Sequence, residues 1–321
     1  MRSLALTLLL AAALAPAADF EIAAQVRQGE ALRIMMRNGV DGATLELLGK
    51  KMPLFRQPDS TWLAVAGIGA LETPRRVDLI IRDASGTPLH TAPVTIVNAQ
   101  YRIRNLQPTK TMSSLKPSPG EIERATQLLN TVTPERFWTE PLQAPTPDCI
   151  GSPFGVQTWY NGKSSGAYHR GIDLYSGAGT PVKAVADGYV RIAQTWNMQG
   201  GMVGIDHGQG LISTYLHQSK LLVTEGQFVH RGDTVGLVGT TGFSTGPHLH
   251  WGLAANGVPI NGAKWIASML GCAARPAAAP APVRKKAGAG RTGGTVKKAA
   301  AKKGVAPRAS LVMLSSEGVR S

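Results

Sequence analysis

Glycine and proline interrupt this chain so often, 37 and 21 times in 321 residues, that long helices are excluded. In a helix interior each Gly costs about 1 kcal/mol and each Pro about 3 kcal/mol relative to Ala. Between the interruptions lie short runs with apolar residues at every second position. Examples are Leu45/Leu47, Val77/Leu79/Ile81 and Val94/Ile96, then Val182/Ala184/Ala186 and Val190/Ile192. Period two is the signature of a strand with one face buried. Charged residues make up only 17%, which also argues against coiled coil. The expected fold is mainly β.

The chain divides by composition. Met1-Arg2, an apolar run from Leu4 to Leu14 and the small-residue site Ala15-Pro16-Ala17 read as a signal peptide over 1–17, so export to a periplasmic, extracellular or wall-associated location is expected. No later run is long enough to span a bilayer. Residues 18–100, with regularly spaced short strands, suggest a β-sandwich-like domain. Residues 101–147 form a Pro-rich connector in which Ser118-Pro119-Gly120-Glu121 has the spacing of a capping box with Pro at the first helical position. It predicts a short helix over 119–130 with Ile122, Ala125 and Leu129 on its apolar face. Residues 148–272 read as a compact antiparallel β domain. A hairpin is expected from Pro181 to Ala193 around Asp187-Gly188, and another from Val203 to Tyr215. Residues 273–321 form a basic tail expected to be disordered. The formal net charge is +14, and eleven basic residues against Glu317 in that tail carry most of it. The remainder has an ordinary balance, so specific nucleic-acid binding is not expected, whereas anionic envelope polymers suit the tail. Cys149 and Cys272 bracket the β domain. A bridge between them would close a loop of over a hundred residues, a constraint of about 4 to 5 kcal/mol in the chain-entropy account.

Six of the seven histidines lie between Ile150 and Leu270. In His248-Leu249-His250 the two imidazoles share one strand face. In His169-Arg170-Gly171-Ile172-Asp173 the glycines and Pro181 nearby argue for a tight turn into a strand. Two imidazoles and one carboxylate, with a position left open to water, form a familiar catalytic zinc arrangement. His217 follows Tyr215-Leu216 and alternates onto the face of Ser213 and Tyr215. The residues leave open which of His248 and His250 would be a ligand. His90, His207 and His230 read as surface or turn residues.

Taken together, these stations resemble the lysostaphin-like, LytM-type zinc metallopeptidases. The similarity runs through Ser152-Pro153-Phe154-Gly155, His169 to Asp173, Gly179-Thr180-Pro181-Val182, Tyr215-Leu216-His217, Val229-His230-Arg231-Gly232-Asp233 and Gly246-Pro247-His248-Leu249-His250-Trp251. The resemblance implies one zinc ion per chain held by His169, Asp173 and His250, with His217 and His248 as the catalytic histidines. It also implies hydrolysis of peptidoglycan peptides, at a D-Ala to diaminoacid cross-link or a Gly-Gly bridge. The loops 239–246 and 159–163 are expected to border the groove, although their glycines equally suit tight turns. The competing expectation is a non-catalytic or autoinhibited wall-binding regulator of another hydrolase.

Overall fold

A computed structural model describes residues 18–106 and 115–267, so the signal-peptide and tail expectations lie outside the described residues. The architecture is mainly β, with one α-helix and one short 3-10 turn among those residues. Residues 18–97 form two facing sheets. One has four strands in the order Asp19–Ile22, Ala31–Arg37, Trp62–Gly67, Phe55–Arg56. The other has five in the order Gln25–Arg27, Pro88–Val97, Arg76–Arg82, Thr44–Leu47, Lys50–Pro53. Leu45, Leu79, Ile81, Val94 and Ile96 meet Ile34 and Met36 between them, as their alternation requires. His90 lies in a strand rather than a turn, half-buried, with its ring stacked on Phe20 at 4.3 Å.

The second part is built on a sheet whose order is Ile150–Ser152, Ile172–Leu174, Leu249–Ala255, Leu211–Gln218, Gly200–Asp206, Gly188–Trp196, Phe228–Val229, with Val258–Ile260 beside Leu249–Ala255. The expected Val203 to Tyr215 hairpin is present as Gly200–Asp206 paired with Leu211–Gln218. The expected Pro181 to Ala193 hairpin is not. Pro181–Lys183 pairs with Thr234–Leu237, and Gly188–Trp196 with Gly200–Asp206. Val182, Ala184, Val185 and Ala186 are all at most 2% exposed. Such a run is covered on every side as it crosses between sheets, which one-sided alternation cannot describe.

One face of the large sheet buries Tyr215, Leu249, Trp251 and Leu253. The opposite face is covered at one end by the connector helix Glu121–Leu129 and at the other end carries His250 and Asp173, which pair directly across strands. The helix presents Glu121, Ala125 and Leu128 inward, a stripe rotated from the expected Ile122/Ala125/Leu129. Its N-cap is Gly120, with no side-chain cap. Glu121 does reach back to the Ser118 N–H, but the Ser118 hydroxyl accepts from Asn197 N–H instead of capping. Cys149 is disulfide-bonded, and Cys272, the other cysteine of the sequence, lies outside the described residues. No described helix is long and apolar enough to cross a membrane.

Candidate functional site

Three short segments bring the ligand candidates together. Ile172–Leu174 pairs with Leu249–Ala255, so Asp173 lies opposite His250, and directly paired residues share a face. His169 enters from the turn before Ile172–Leu174, held by its N–H to Val156 O at 2.9 Å and by Gly155 N–H to its own carbonyl at 2.9 Å. Gly171 lets this turn close. A Cβ there would collide with the Trp251 carbonyl and with Nε2 of His250, so the backbone approaches as only glycine permits.

His169 Nε2 lies 2.9 Å from Asp173 Oδ1 and 3.0 Å from His250 Nδ1, and His250 Nδ1 lies 2.9 Å from Asp173 Oδ1. The outer nitrogen of His169, Nδ1, is 2.8 Å from Pro153 O. A carbonyl only accepts, so Nδ1 carries a proton; in the neutral ring Nε2 then turns a lone pair toward the carboxylate, and in the doubly protonated ring Nε2–H donates to it. Lone pairs converging at this distance repel unless a cation sits among them. The donor set, two imidazoles and a carboxylate oriented by an outer hydrogen bond, fits zinc. Burial pushes the Asp173 carboxyl up, but hydrogen bonds and charge from His169 and His250 outweigh it and hold the group well below the usual carboxylate range. Burial lowers the His250 imidazole.

His248 and His217 flank this triangle. His248 Nδ1–H donates to Gly246 O at 2.8 Å, and its Nε2 is 3.8 Å from Asp173 Oδ1. His217 Nδ1–H donates to Thr241 O at 2.8 Å, and its ring centroid is 4.9 Å from that of His248 and 6.1 Å from that of His250. In both rings Nε2 is left as the remaining functional atom. Burial first, then the nearby His250 and His248, lowers the His217 imidazole to about 4. His217 does not share the face of Ser213 and Tyr215, which hydrogen-bond to each other in the core. A pairing irregularity after Tyr215 and a φ of 64° at His217 turn its side chain to the other face, as a bulge does.

His207 and His230 stay outside this cluster. His207 is fully buried, between Asp187 O at 2.6 Å and Ser213 Oγ at 2.7 Å, and His230 is largely exposed beside Asp187. A cleft of about 470 Å³ opens next to His248, between Tyr175–Ala178 and Thr245–Pro247. Loop 239–246 therefore contributes to it. Trp159 and Tyr160, also expected at the groove, belong to a strand paired with Ile103–Leu106 and Lys163–Tyr168. Sequence reasoning missed the cleft wall Tyr175–Ala178 and the carbonyls of Pro153, Thr241 and Gly246, whereas the turn expected from Gly171 is present. Backbone acceptors leave no mark in side-chain identity.

Residues 167–262, which contain all five site residues, match Peptidase family M23. These residues form an M23 peptidase domain. The chain is 45% identical over 98 residues to the peptidoglycan DD-endopeptidase ShyA of Vibrio cholerae, across 30% of this chain and 23% of that protein. It is 40% identical over 118 residues to the DD-carboxypeptidase/endopeptidase Mpg of Neisseria meningitidis, across 35% of this chain and 26% of that protein. The chain thus spans about a quarter of the length of these curated relatives. A crystal structure from Pseudomonas aeruginosa, described as a candidate M23 peptidase, superposes with a TM-score of 0.57 at 29% identity. That match covers 73% of this chain and 92% of the other, so the similarity extends well beyond the M23 domain.

Proposed function

We propose that the protein is an exported, zinc-dependent endopeptidase that hydrolyses peptide cross-links of peptidoglycan. The observation that carries this reading is the convergence of His169 Nε2, His250 Nδ1 and Asp173 Oδ1 within 3.0 Å of one another, flanked by two histidines whose Nδ1 atoms are tied to backbone carbonyls. His169, Asp173 and His250 would hold the metal. A metal bound there would supply Lewis acidity and an acidified water. His217 and His248 act through Nε2, one accepting a proton from the attacking water and the other, when its ring carries a proton on both nitrogens, donating a hydrogen bond to the developing oxyanion. Their Nδ1–H bonds to Thr241 O and Gly246 O keep a proton on Nδ1 and hold the ring plane, so that proton transfer at Nε2 needs no rotation of either ring. The cleft beside His248 is lined by small residues, Ser176, Gly177, Ala178 and Gly246, which suits an extended peptide with small side chains.

The names of ShyA and Mpg support a D,D-bond as the bond cut. The test is digestion of purified peptidoglycans with D-Ala to diaminoacid cross-links or with Gly-Gly bridges, reading the products by mass. Monomeric stem peptides from the first substrate alone are expected. Release from the Gly-Gly bridged wall alone would move the specificity, and no release from either would overturn the activity.

A further inference from the structure

We propose that Glu121, on the connector helix and outside the residues matched by the family, is a positioning residue for His217. The proposal rests on the reading of His217 as a catalytic group. Glu121 is 1% exposed, and burying a carboxylate is costly unless its lone pairs are taken up. They are taken up by the turn at Met198-Gln199 and by Ser118. Glu121 Oε1 accepts from Met198 N–H at 3.0 Å and Gln199 N–H at 2.8 Å, while Oε2 accepts from Ser118 N–H at 2.7 Å. Only an acceptor-only group serves N–H donors on both oxygens, since a glutamine would turn an NH₂ toward one of them. A helix cap alone would need the Ser118 bond and no more.

The turn held this way is the support of His217. Gln199 O accepts the His217 N–H at 3.0 Å, and Met198 O accepts the Phe243 N–H at 2.8 Å. Gly201 N–H donates to Thr241 Oγ1 at 2.9 Å, and Thr241 O is the acceptor that fixes the His217 ring. A Cβ on Gly200 or Gly242 would collide with the opposite backbone, so the turn and the 240–243 loop lie in direct contact. Both the backbone and the ring of His217 are therefore referenced to residues 198–201, which Glu121 clamps. His217 needs such a frame, because its φ of 64° persists only where the surroundings impose it. Among the described residues none of these bonds reaches His169, Asp173 or His250.

The experiment compares the metal-loaded full chain with Glu121→Gln, His217→Ala and Leu128→Ala. Leu128 lies on the same helix, is 3% exposed and packs over Gly204 among Ile192, Met202 and Ala254, and its apolar side chain has no hydrogen bond to give the turn. Metal content, kcat and KM on a soluble cross-linked peptide, and exchange of the His217 Nδ1–H by ¹⁵N NMR are read for each. Glu121→Gln should keep its metal and a KM within about twofold, lose about ten- to a hundredfold in kcat, the scale of a displaced catalytic group, and exchange the Nδ1 proton faster. Leu128→Ala should melt earlier with kcat and exchange unchanged. Where Glu121→Gln does not fold, Ser118→Ala loosens the same turn by removing its bond to Asn197 N–H, and should show a smaller change in the same direction. Wild-type kcat and Nδ1–H exchange in Glu121→Gln, loss of its metal, or an equal kcat loss in Leu128→Ala would overturn the proposal. Wild-type turnover in His217→Ala would instead remove the catalytic reading, and the exchange rate alone would then decide whether Glu121 holds the ring.

Discussion

A histidine at φ 64° stores backbone strain of about 1 kcal/mol or more, and at His217 that conformation carries an imidazole from the core face to the face of Asp173 and His250. The five site residues divide by their contacts. His250 takes part in the His169–Asp173 triangle, so His250→Ala should lose zinc and activity together, measured by metal analysis and peptide turnover. His217 and His248 bond outward to carbonyls, so their alanine variants should keep zinc while kcat falls by about two or more orders of magnitude. Zinc retained at one per chain in His250→Ala would refute the assignment. His207 is buried for a different reason, linking Asp187 O to Ser213 Oγ, and burial lowers its pKa to about 4 against an ordinary 6.5. Its sign is clear: below 6.5 the unfolded chain takes up a proton that the folded chain refuses until about pH 4. Stability should therefore be unaffected above pH 6.5 and fall by up to ~1.4 kcal/mol per pH unit below it. Urea unfolding in chelator, so that metal release does not contribute, should show wild type losing about 2–3 kcal/mol more than His207→Gln between pH 7 and 4.5. Equal losses would mean that His207 titrates alike in both states.

At the scale of elements, what was legible follows from one-sided burial. Leu45/Leu47, Val77/Leu79/Ile81 and Val94/Ile96 alternate because one face of each strand meets the sandwich core, and in His248-Leu249-His250 the two imidazoles face away from the core that holds Leu249 for the same reason. Elements buried on both sides were opaque. Trp62–Gly67 has no alternation because Leu63 and Val65 enter the core that holds Tyr215 and Leu253, while Trp62, Ala64 and Ala66 enter the sandwich core. The same geometry hid the crossing at 182–186. The helix was visible from Ser118 to Glu121, but its inward stripe was misjudged because a buried carboxylate defeats an apolar pattern. The two imidazoles and the carboxylate were readable as residue types, whereas the proposed split of the histidines into ligands and a catalytic pair came from family resemblance. Asn256 Nδ2 also donates to Val65 O at 2.8 Å, and Asn261 N–H to Gly29 O at 2.6 Å. With a strand shared between two cores, unfolding of residues 18–267 should be a single transition. Leu63→Ala should shift it as a whole by about 2–5 kcal/mol, as seen by calorimetry together with zinc release. A first transition that leaves zinc bound would show that the sandwich unfolds independently.

At the scale of the whole molecule, charge and chemistry are separated along the chain. Of a formal net charge of +14, residues 273–321 hold eleven basic side chains against the single Glu317, and all five site residues lie between His169 and His250. Such a segment has no core-forming pattern except at Leu311-Val312-Met313-Leu314, so its expected contribution is attraction to anionic envelope polymers rather than support of the site. A chain ending at Cys272 retains both cysteines and every residue of the site. It should keep its zinc and its turnover of a short soluble peptide while binding wall material more weakly. Binding by the full-length protein should fall as salt rises, because attraction between exposed charges is screened within about 8 to 10 Å at physiological ionic strength. Cosedimentation of both proteins with wall material at low and high salt, alongside peptide turnover, measures the two effects independently. Equal and salt-independent binding would remove the tether role. Lost peptide turnover in the shortened chain would show instead that residues beyond Cys272 support the M23 domain.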